Sequence, residues 1–495
     1  MKEFAVLDEL CLGGSNAVGD GLKPGAPRWS PKVAVDIIGM LDVLAVILSS
    51  IVTFFILDRA GVKAEGGDFF AIQSTLIAAG IMRFMLIRGN MYDQISIGSF
   101  SVNPIGLCAA FAAGIFVVIS IFLAFGMVQP FHISWFTLWY VISISFLILL
   151  RATARIQLKR WVERGRFRSN LAVYGGGFIA RKLHDHLINQ GDGIHFLGVF
   201  DDRQDESRLD TFGLKMSGRL DDLIEAGRNG SIDQIIIALP QSADRRINDI
   251  VQRLEQLPVH IHVCTHIASD LVDAALRGNK VSAIGPIGLL NVKRKPLSDW
   301  GPLLKKIEDY FFGGLIMLAS LPLFVLVAIA IKATSKGPVF FVQKRHGLNH
   351  KIINVYKFRT MRTMENGAEV RQASKNDSRV TSVGWFLRRT SLDELPQVFN
   401  VLKGEMSLVG PRPHAVVHNQ EYSEGLERYS NRHQVKPGIT GWAQVNGFRG
   451  ETRDHNQMKM RVMHDLHYIN HWSIWFDLKI IFMTPIFGLI SRNAY

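Results

Sequence analysis

Phe311-Phe312-Gly313-Gly314-Leu315-Ile316-Met317-Leu318-Ala319-Ser320-Leu321-Pro322-Leu323-Phe324-Val325-Leu326-Val327-Ala328-Ile329-Ala330-Ile331 runs for 21 residues without a charged side chain. That is the length an α-helix needs to cross about 30 Å of hydrocarbon. Two features argue against a simple crossing. Lys305 and Lys306 precede the run and Lys332 and Lys336 follow it, so neither flank is favoured for translocation. Pro322 lies in its middle, where it removes a helical hydrogen bond and its ring clashes with the turn before it. The segment therefore reads as a broken, re-entrant helix over 311–331, kinked at Pro322, that enters and leaves the bilayer by one face. An ordinary fifth span with a tolerated proline kink is the alternative.

Toward the N-terminus lie four more apolar blocks, 33–57, 69–87, 105–128 and 133–150, each near the length of a span. They predict a four-helix transmembrane bundle over 31–151, after a polar tail over 1–30 that is not a cleavable signal peptide. Asp36, Asp42 and Arg83 fall close enough to span ends to snorkel or pair. Arg151, Arg155, Lys159, Arg160, Arg164, Arg166 and Arg168 follow the fourth block. They read as a basic linker over 152–169, cytoplasmic by the positive-inside rule, with an even number of spans returning the N-terminus to the same side.

The composition agrees. A chain of 495 residues with 48% hydrophobic and 20% charged residues suits apolar blocks joined to polar domains. The net charge of +13 points to lipid headgroups and phosphates; no nucleic-acid module is recognisable. Cys11, Cys108 and Cys264 show neither disulfide nor zinc spacing, which fits a reducing compartment.

A middle domain over 170–290 reads as Rossmann-like. A strand at 171–174 runs into Gly175-Gly176-Gly177-Phe178-Ile179-Ala180 and a helix, and a second strand at 196–200 ends at Asp201-Asp202. A third lies at 234–239. Strand, Gly-rich turn, helix and a strand with a terminal acid form the layout of a dinucleotide-binding unit. A single such turn is weak evidence, because the strand–helix corner needs glycine for packing anyway. His260, His262 and His266 read as strand and loop residues.

The last third, an α/β domain over 300–495, is dense in motifs. Gly337-Pro338-Val339-Phe340-Phe341-Val342-Gln343-Lys344-Arg345 precedes Tyr356-Lys357-Phe358-Arg359-Thr360-Met361-Arg362. Phe386-Leu387-Arg388-Arg389-Thr390-Ser391-Leu392-Asp393-Glu394-Leu395-Pro396-Gln397 follows, then Val409-Gly410-Pro411-Arg412-Pro413 and Val435-Lys436-Pro437-Gly438-Ile439-Thr440-Gly441-Trp442. Leu395, Val398, Phe399 and Leu402 repeat at helical spacing, and Ser391 with Glu394 fits a capping box. The acidic pair would then sit at a helix N-terminus, which attracts phosphate. Arg388 and Arg389 would keep the acids ionised and hold anionic oxygens. A carboxylate in that place can attack phosphorus, and its neighbour can hold a divalent metal. Taken alone, the pair is better explained by a plain capping box with two exposed acids.

These segments together resemble the bacterial monotopic phosphoglycosyl transferases, and most closely their large branch, which places hexose 1-phosphates on undecaprenyl phosphate. The resemblance is strong from about Trp300 to Tyr495 and looser over the N-terminal spans and middle domain. It implies a UDP-sugar donor, undecaprenyl phosphate as acceptor and release of UMP, at the first membrane step of exopolysaccharide, capsule or O-antigen synthesis. It implies a multi-pass protein of the bacterial inner membrane with its site toward the cytoplasm and Mg2+ as cofactor. Asp393 would be the nucleophile, forming a covalent aspartyl-phosphosugar, and Glu394 would assist with metal and protons. Lys357, Arg359 and Arg412 would bind phosphates, and Asp465, in His464-Asp465-Leu466-His467-Tyr468, matches a further acidic position. Asn446-Gly447-Phe448-Arg449-Gly450-Glu451-Thr452 resembles the glucose-transferring subgroup. The oligomeric state is left open, a homo-oligomer included.

Other residues read more plainly. His464, His467 and His471 form the polar rim of an interfacial helix over 472–490, and His414 and His418 lie at the surface or near substrate. Two rival functions remain. A membrane-anchored nucleotide-sugar dehydratase or epimerase would carry a Tyr-x-x-x-Lys pair, and no tyrosine here has a lysine four residues on. A membrane sensor would leave the motif-dense last third unexplained.

Overall fold

A computed structural model describes residues 30–62, 67–92, 103–126, 130–190, 194–203, 216–240, 243–265, 281–284, 287–362, 377–414, 426, 428–448, 450 and 455–490. The tail over 1–29, His266, His418, Arg449, Glu451 and Thr452 lie outside these. Residues 26–168 form one compact unit and the chain from Ser169 onward belongs to another.

The first unit is four helices: α1 (Pro31–Arg59), α2 (Gly67–Arg88), α3 (Pro104–Ala124) and α4 (Pro130–Glu163). Prolines open α1, α3 and α4, where a missing N–H costs nothing. The four share one core, in which Trp135, Trp139, Phe111 and Met82 are fully buried, while Phe55, Leu76, Phe116 and Leu149 point outward. At Gly114 the backbones of α2 and α3 come so close that a Cβ would stand 2.7 Å from the Ala78 carbonyl oxygen, the small-residue contact by which apolar helices pack in lipid. The 152–169 segment is not a linker over most of its length: α4 continues through Arg155, Lys159 and Arg160 to Glu163. The apolar pattern ends at residue 150, but helical hydrogen bonding does not need it.

Asp42 is paired. Arg151 Nη2 donates to its carboxylate at 2.7 Å, with both side chains fully buried, and Tyr92 donates its hydroxyl at 2.7 Å.

In the second unit, the middle domain is a seven-stranded sheet of β1 (Ser169–Tyr174), β2 (Ile194–Phe200), β3 (Met216–Gly218), β4 (Gln234–Ile237), β5 (His260–Thr265), β6 (Val281–Ile284) and β7 (Ile287–Lys293). The order is β3-β2-β1-β4-β5-β7-β6, parallel through β5 and antiparallel at β7 and β6. Helices α5 (Phe178–Gln190), α6 (Leu220–Arg228) and α7 (Asp244–Leu254) accompany it. The 3-2-1-4-5 part is the Rossmann arrangement. Its Gly-rich turn is engaged within the chain, however: the Gly176 N–H donates to Asp201 Oδ2 at 3.0 Å, and Arg203 pairs with the same carboxylate.

The last third of the chain hangs on α8 (Gly301–Thr334), a 34-residue helix that stays helical through Pro322. After it come an antiparallel hairpin, β8 (Phe340–His346) with β9 (Ile352–Phe358), and the helices α9 (Ser382–Thr390) and α10 (Gln397–Leu402). A parallel pair, β10 (Ser407–Val409) with β11 (Gly438–Thr440), is followed by α11 (Trp442–Val445), α12 (His455–Asn470) and α13 (Ile474–Ile490). Among the described residues five helices, α1 to α4 and α8, are long and apolar enough to cross a membrane, and the protein is membrane-embedded.

Removing one partner of a buried ion pair leaves an uncompensated charge and costs about 3–5 kcal/mol, whereas replacing both with apolar groups is close to neutral. Asp42→Leu is therefore expected to lower the unfolding temperature in detergent sharply. Asp42→Leu combined with Arg151→Met should recover most of the loss; equal losses in both variants would show that the pair does not hold the helices.

Candidate active site

Asp393 and Glu394 lie on a 3-10 turn, Leu392–Glu394, between α9 and α10. Helix α9 ends at Ser391, which takes a left-handed conformation at φ 60°, and this sharp reversal sets the turn. The expected capping box does not form. Ser391 makes no side-chain cap, and Glu394 directs its carboxylate away from the backbone to two cations.

Those cations come from separate strands and loops. Lys357, near the end of β9, donates to Glu394 Oε1 at 2.7 Å. Arg412, from the Val-Gly-Pro-Arg-Pro run, binds both Glu394 oxygens as a fork. Burial alone would raise Glu394, but Arg412 and Lys357 outweigh it and hold the carboxyl well below its ordinary range. Burial pushes Lys357 down, with Glu394 opposing.

Asp393 differs from its neighbour. Among the described residues its carboxylate accepts no hydrogen bond, and its side chain is only partly buried. Desolvation raises it to about 6, with Lys357, Arg412 and Arg388 pulling down and Glu394 pushing up. One acid is thus locked and charged, and the next is free and near neutrality in its titration.

The scaffold fixes this arrangement from behind. Asn400 of α10 donates to the Asn354 carbonyl at 2.7 Å and accepts from the Tyr356 N–H at 3.1 Å, so it acts as an extra rung beside β9, next to Lys357. Gly384 lets α9 approach the end of β9 so closely that a Cβ would stand 2.1 Å from the Thr360 carbonyl oxygen.

A free, partly buried carboxylate flanked by cations anchored on a second carboxylate is suited to attack a phosphorus atom while the cations hold phosphate oxygens. Comparison with known proteins agrees. Residues 300–491 match the family described as bacterial sugar transferase, and residues 90–264 match one described as CoA-binding domain. A UDP-glucose:undecaprenyl-phosphate glucose-1-phosphate transferase of Klebsiella pneumoniae is 35% identical over 483 residues, 94% of this chain and 99% of that one. Those of Xanthomonas campestris pv. campestris and Escherichia coli (strain K12) are 38% and 39% identical, over 73% and 72% of this chain and 75% of each relative. The chain belongs to the bacterial sugar transferases.

Not every expected residue of this sugar transferase reaches the site. Arg359 donates to the Ser335 and Lys336 carbonyls at 2.8 and 2.7 Å and is almost fully buried. It caps the C-terminus of α8 and is not aimed at phosphate: period-two alternation would put it on the face of Lys357, but β9 ends at Phe358 and Arg359 lies beyond the strand. Arg389 lies over the Trp385 ring at 5.2 Å, whereas Arg388 acts on Asp393. Asp465 is buried and accepts from Arg432 Nη2 at 2.6 Å. Arg432 also donates to the Arg412 carbonyl at 2.8 Å and contacts His414, so Asp465 supports the Arg412 loop from behind. His414 is buried there, not at the surface. Both Glu394 oxygens accept from cations here, Oε1 from Lys357 and Arg412 and Oε2 from Arg412. Among the described residues no cluster of three or more metal-ligating side chains occurs.

Two further residues belong to the site. Arg345 shares a face of the hairpin with Lys357, donates to the Pro413 carbonyl and is pushed down to about 10 by burial, with Arg412 adding to the effect. Arg432 organises the Asp465 network. The period-two pattern Gln343-x-Arg345 was the available signal for the first; Arg432 lies in an irregular 3-10 segment and had none.

If the ionised Asp393 is the reacting form, kcat/KM is expected to be level above about pH 7 and to fall about tenfold per unit below about 6. A profile unchanged down to pH 4.5 would place the reaction on another group.

Proposed function

We infer that this chain transfers glucose 1-phosphate from UDP-glucose to undecaprenyl phosphate, and that Asp393 carries the sugar phosphate between the two. The observation that supports this most is the contrast within the acidic pair: Glu394 is saturated by Lys357 and Arg412, and Asp393 is left free beside them. The relatives' names supply the substrates.

In the first step an Asp393 oxygen attacks the glucose-bearing phosphorus of UDP-glucose. The phosphorus–oxygen bond to the inner phosphate breaks, and UMP leaves with the electron pair. In the second step a phosphate oxygen of the lipid attacks the same phosphorus, the acyl–phosphate bond breaks, and Asp393 returns as carboxylate. The products are UMP and undecaprenyl-diphosphate-glucose. Lys357 and Arg412 keep donors available to phosphate oxygens while Glu394 fixes their positions, so little reorganisation accompanies charge development. Mg2+ fits Asp393 and the diphosphate better than it fits Glu394, as Mg2+ is commonly held by one or two carboxylates plus substrate phosphates. It would supply charge neutralisation between an anionic nucleophile and an anionic diphosphate.

The re-entrant reading of α8 gains support from what holds its ends. Near the start, Lys305 pairs with Asp477 at 2.5 Å and Asp309 accepts from Ser407 and the Leu408 N–H. At the far end, Arg359 grips Ser335 and Lys336. Between them Phe324, Val327 and Ile331 pack on Phe358, Leu387 and Val398. One catalytic domain thus follows a helix of roughly 45 Å between those anchors, and a crossing would pull those polar anchors onto opposite sides of the membrane. Leu315, Leu318, Val325, Leu326 and Ile329 remain exposed along the helix as a face for lipid. Both ends, and the active site, then lie at the cytoplasmic face of the inner membrane, the side the basic stretch after 150 favours.

Enzyme and UDP-glucose without lipid should release one equivalent of UMP in a burst while the protein gains one hexose phosphate by intact mass. Asp393→Asn should abolish both. Intersecting-line kinetics with no burst would exclude the covalent course in favour of direct attack by the lipid.

For topology, Lys306 and Lys336 are exposed at the two ends of α8. Single cysteines there, in a background without the native three, should both resist an impermeant thiol reagent in intact cells and react once the membrane is opened. Labelling of either from outside would restore a spanning helix.

A further inference from the structure

The middle domain is not used by the chemistry above, and its Gly-rich turn is closed by Asp201. Its other side is more informative. Where it meets the catalytic third there is a cavity of about 360 Å³, within the range of small-ligand sites. Ile232 and Pro258 of the middle domain form one wall, and Leu297, Val409 and Trp472 form others.

Four lysines line this apolar space, Lys295, Lys305, Lys306 and Lys436, against one carboxylate, Asp309. The carboxylate is already engaged by Ser407 and Leu408. Lys305 is paired with Asp477 at 2.5 Å, and Lys295 stands 3.4 Å from Asp233. Lys306 and Lys436 have no hydrogen bond or ion pair among the described residues; Lys306 lies only over the Tyr310 ring at 5.8 Å. Burial pushes Lys436 below the ordinary lysine range, Asp309 opposing and Lys306 and Lys305 adding to the shift. A half-buried apolar chamber with uncompensated ammonium groups at its wall attracts an anion with an apolar body.

Few direct polar bonds cross this seam. Gln434 Nε2 donates to the Glu255 carbonyl at 2.6 Å, and Arg428 pairs with the Glu255 carboxylate at 3.1 Å. A ligand filling the chamber would touch both domains at once.

We propose that this seam cavity binds a phosphate ester, its phosphate held by Lys306 and Lys436 with Lys295 alongside and its apolar body against Ile232, Pro258 and Trp472, and that binding clamps the middle domain onto the catalytic third. The phosphate is favoured over a carboxylate because several point-like ammonium groups converge on one space, and a phosphate presents more charge and more acceptor oxygens to them. The ester comes either from a membrane glycerophospholipid, since Lys306 lies in the second turn of α8, or from a soluble organophosphate. The site is separate from Asp393, so the proposal stands or falls apart from the catalytic reading.

The test uses full-length protein in phosphatidylcholine nanodiscs. Phosphatidylglycerol incorporated in the disc probes the lipid source, and sn-glycerol 3-phosphate in solution probes the soluble one. The readouts are unfolding temperature and hydrogen exchange over 227–232 and 434–436. Binding to the folded state raises stability by mass action, so one probe should raise the unfolding temperature by about 2 °C or more and slow exchange in both segments. Lys306→Ala with Lys436→Ala should weaken the response at least about tenfold, each lost charge-assisted hydrogen bond costing about that factor, while Lys344→Ala, an exposed lysine on β8, should leave it intact. If the double variant does not fold, the single changes Lys306→Gln and Lys436→Gln serve the same comparison. A response to phosphatidylglycerol alone assigns the lipid source, and a response to glycerol phosphate alone assigns the soluble one. No response to either probe, or the same response in the lysine variants as in the wild type, overturns the proposal.

Discussion

Glu394 holds two cations on one buried carboxylate, and three separate pieces of the chain meet there: the β8–β9 hairpin through Lys357, the 3-10 turn between α9 and α10, and the loop after β10 through Arg412. A buried ion network of this kind is a poor source of net stability, but removing one member is costly, because the others are left charged in a dry place. Its value is positional. With Glu394 in place, the two cations are fixed beside Asp393, one residue away. Each supporting feature serves the same geometry: Asn400 pins β9, Gly384 admits α9, and Arg432 with Asp465 braces the Arg412 loop.

The long helix α8 imposes the second constraint. Polar groups near both its ends are held by the last third of the chain: Lys305 by Asp477, Asp309 by Ser407 and Leu408, and the terminal carbonyls by Arg359. What remains for the surroundings is an apolar face, continued by exposed Trp475, Phe482 and Ile486 of α13. With α8 re-entrant, as proposed, the active site is tied to the bilayer surface by the same helix that completes its fold. An enzyme joining a soluble nucleotide sugar to a lipid-borne phosphate needs that placement, since the two substrates meet only at the interface.

Much of this was legible in the sequence. Apolar block lengths located the spans, and the strand–glycine–helix pattern gave the Rossmann-like sheet, because both depend on local periodicity. The acidic pair and its two main cations were found through motifs that act in combination. What failed depended on facing direction. Arg359 sits two residues from Lys357 and should share its strand face, yet β9 ends at Phe358 and the chain bends, so the guanidinium reaches α8 instead. Ser391 at φ 60° turned an expected helix start into a 3-10 reversal, and no spacing rule signals a left-handed serine. Arg345 and Arg432 matter through contacts made across 68 and 20 residues of chain, a distance over which periodicity is silent.

The division of labour between Asp393 and Glu394 follows from this reversal. On a regular α-helix, neighbouring residues point about 100° apart, and a capping box would have tied Glu394 to the backbone and left both cations without an anchor. The tight turn instead sends Glu394 inward, where Arg412 and Lys357 keep it ionised, and leaves Asp393 at the margin, where partial burial raises it toward 6. Two carboxylates of nearly equal intrinsic acidity thereby acquire unequal tasks. The more acidic group is too well satisfied to react. The less acidic one carries greater basicity and, among the described residues, accepts no hydrogen bond, which suits it to the nucleophile's part proposed above.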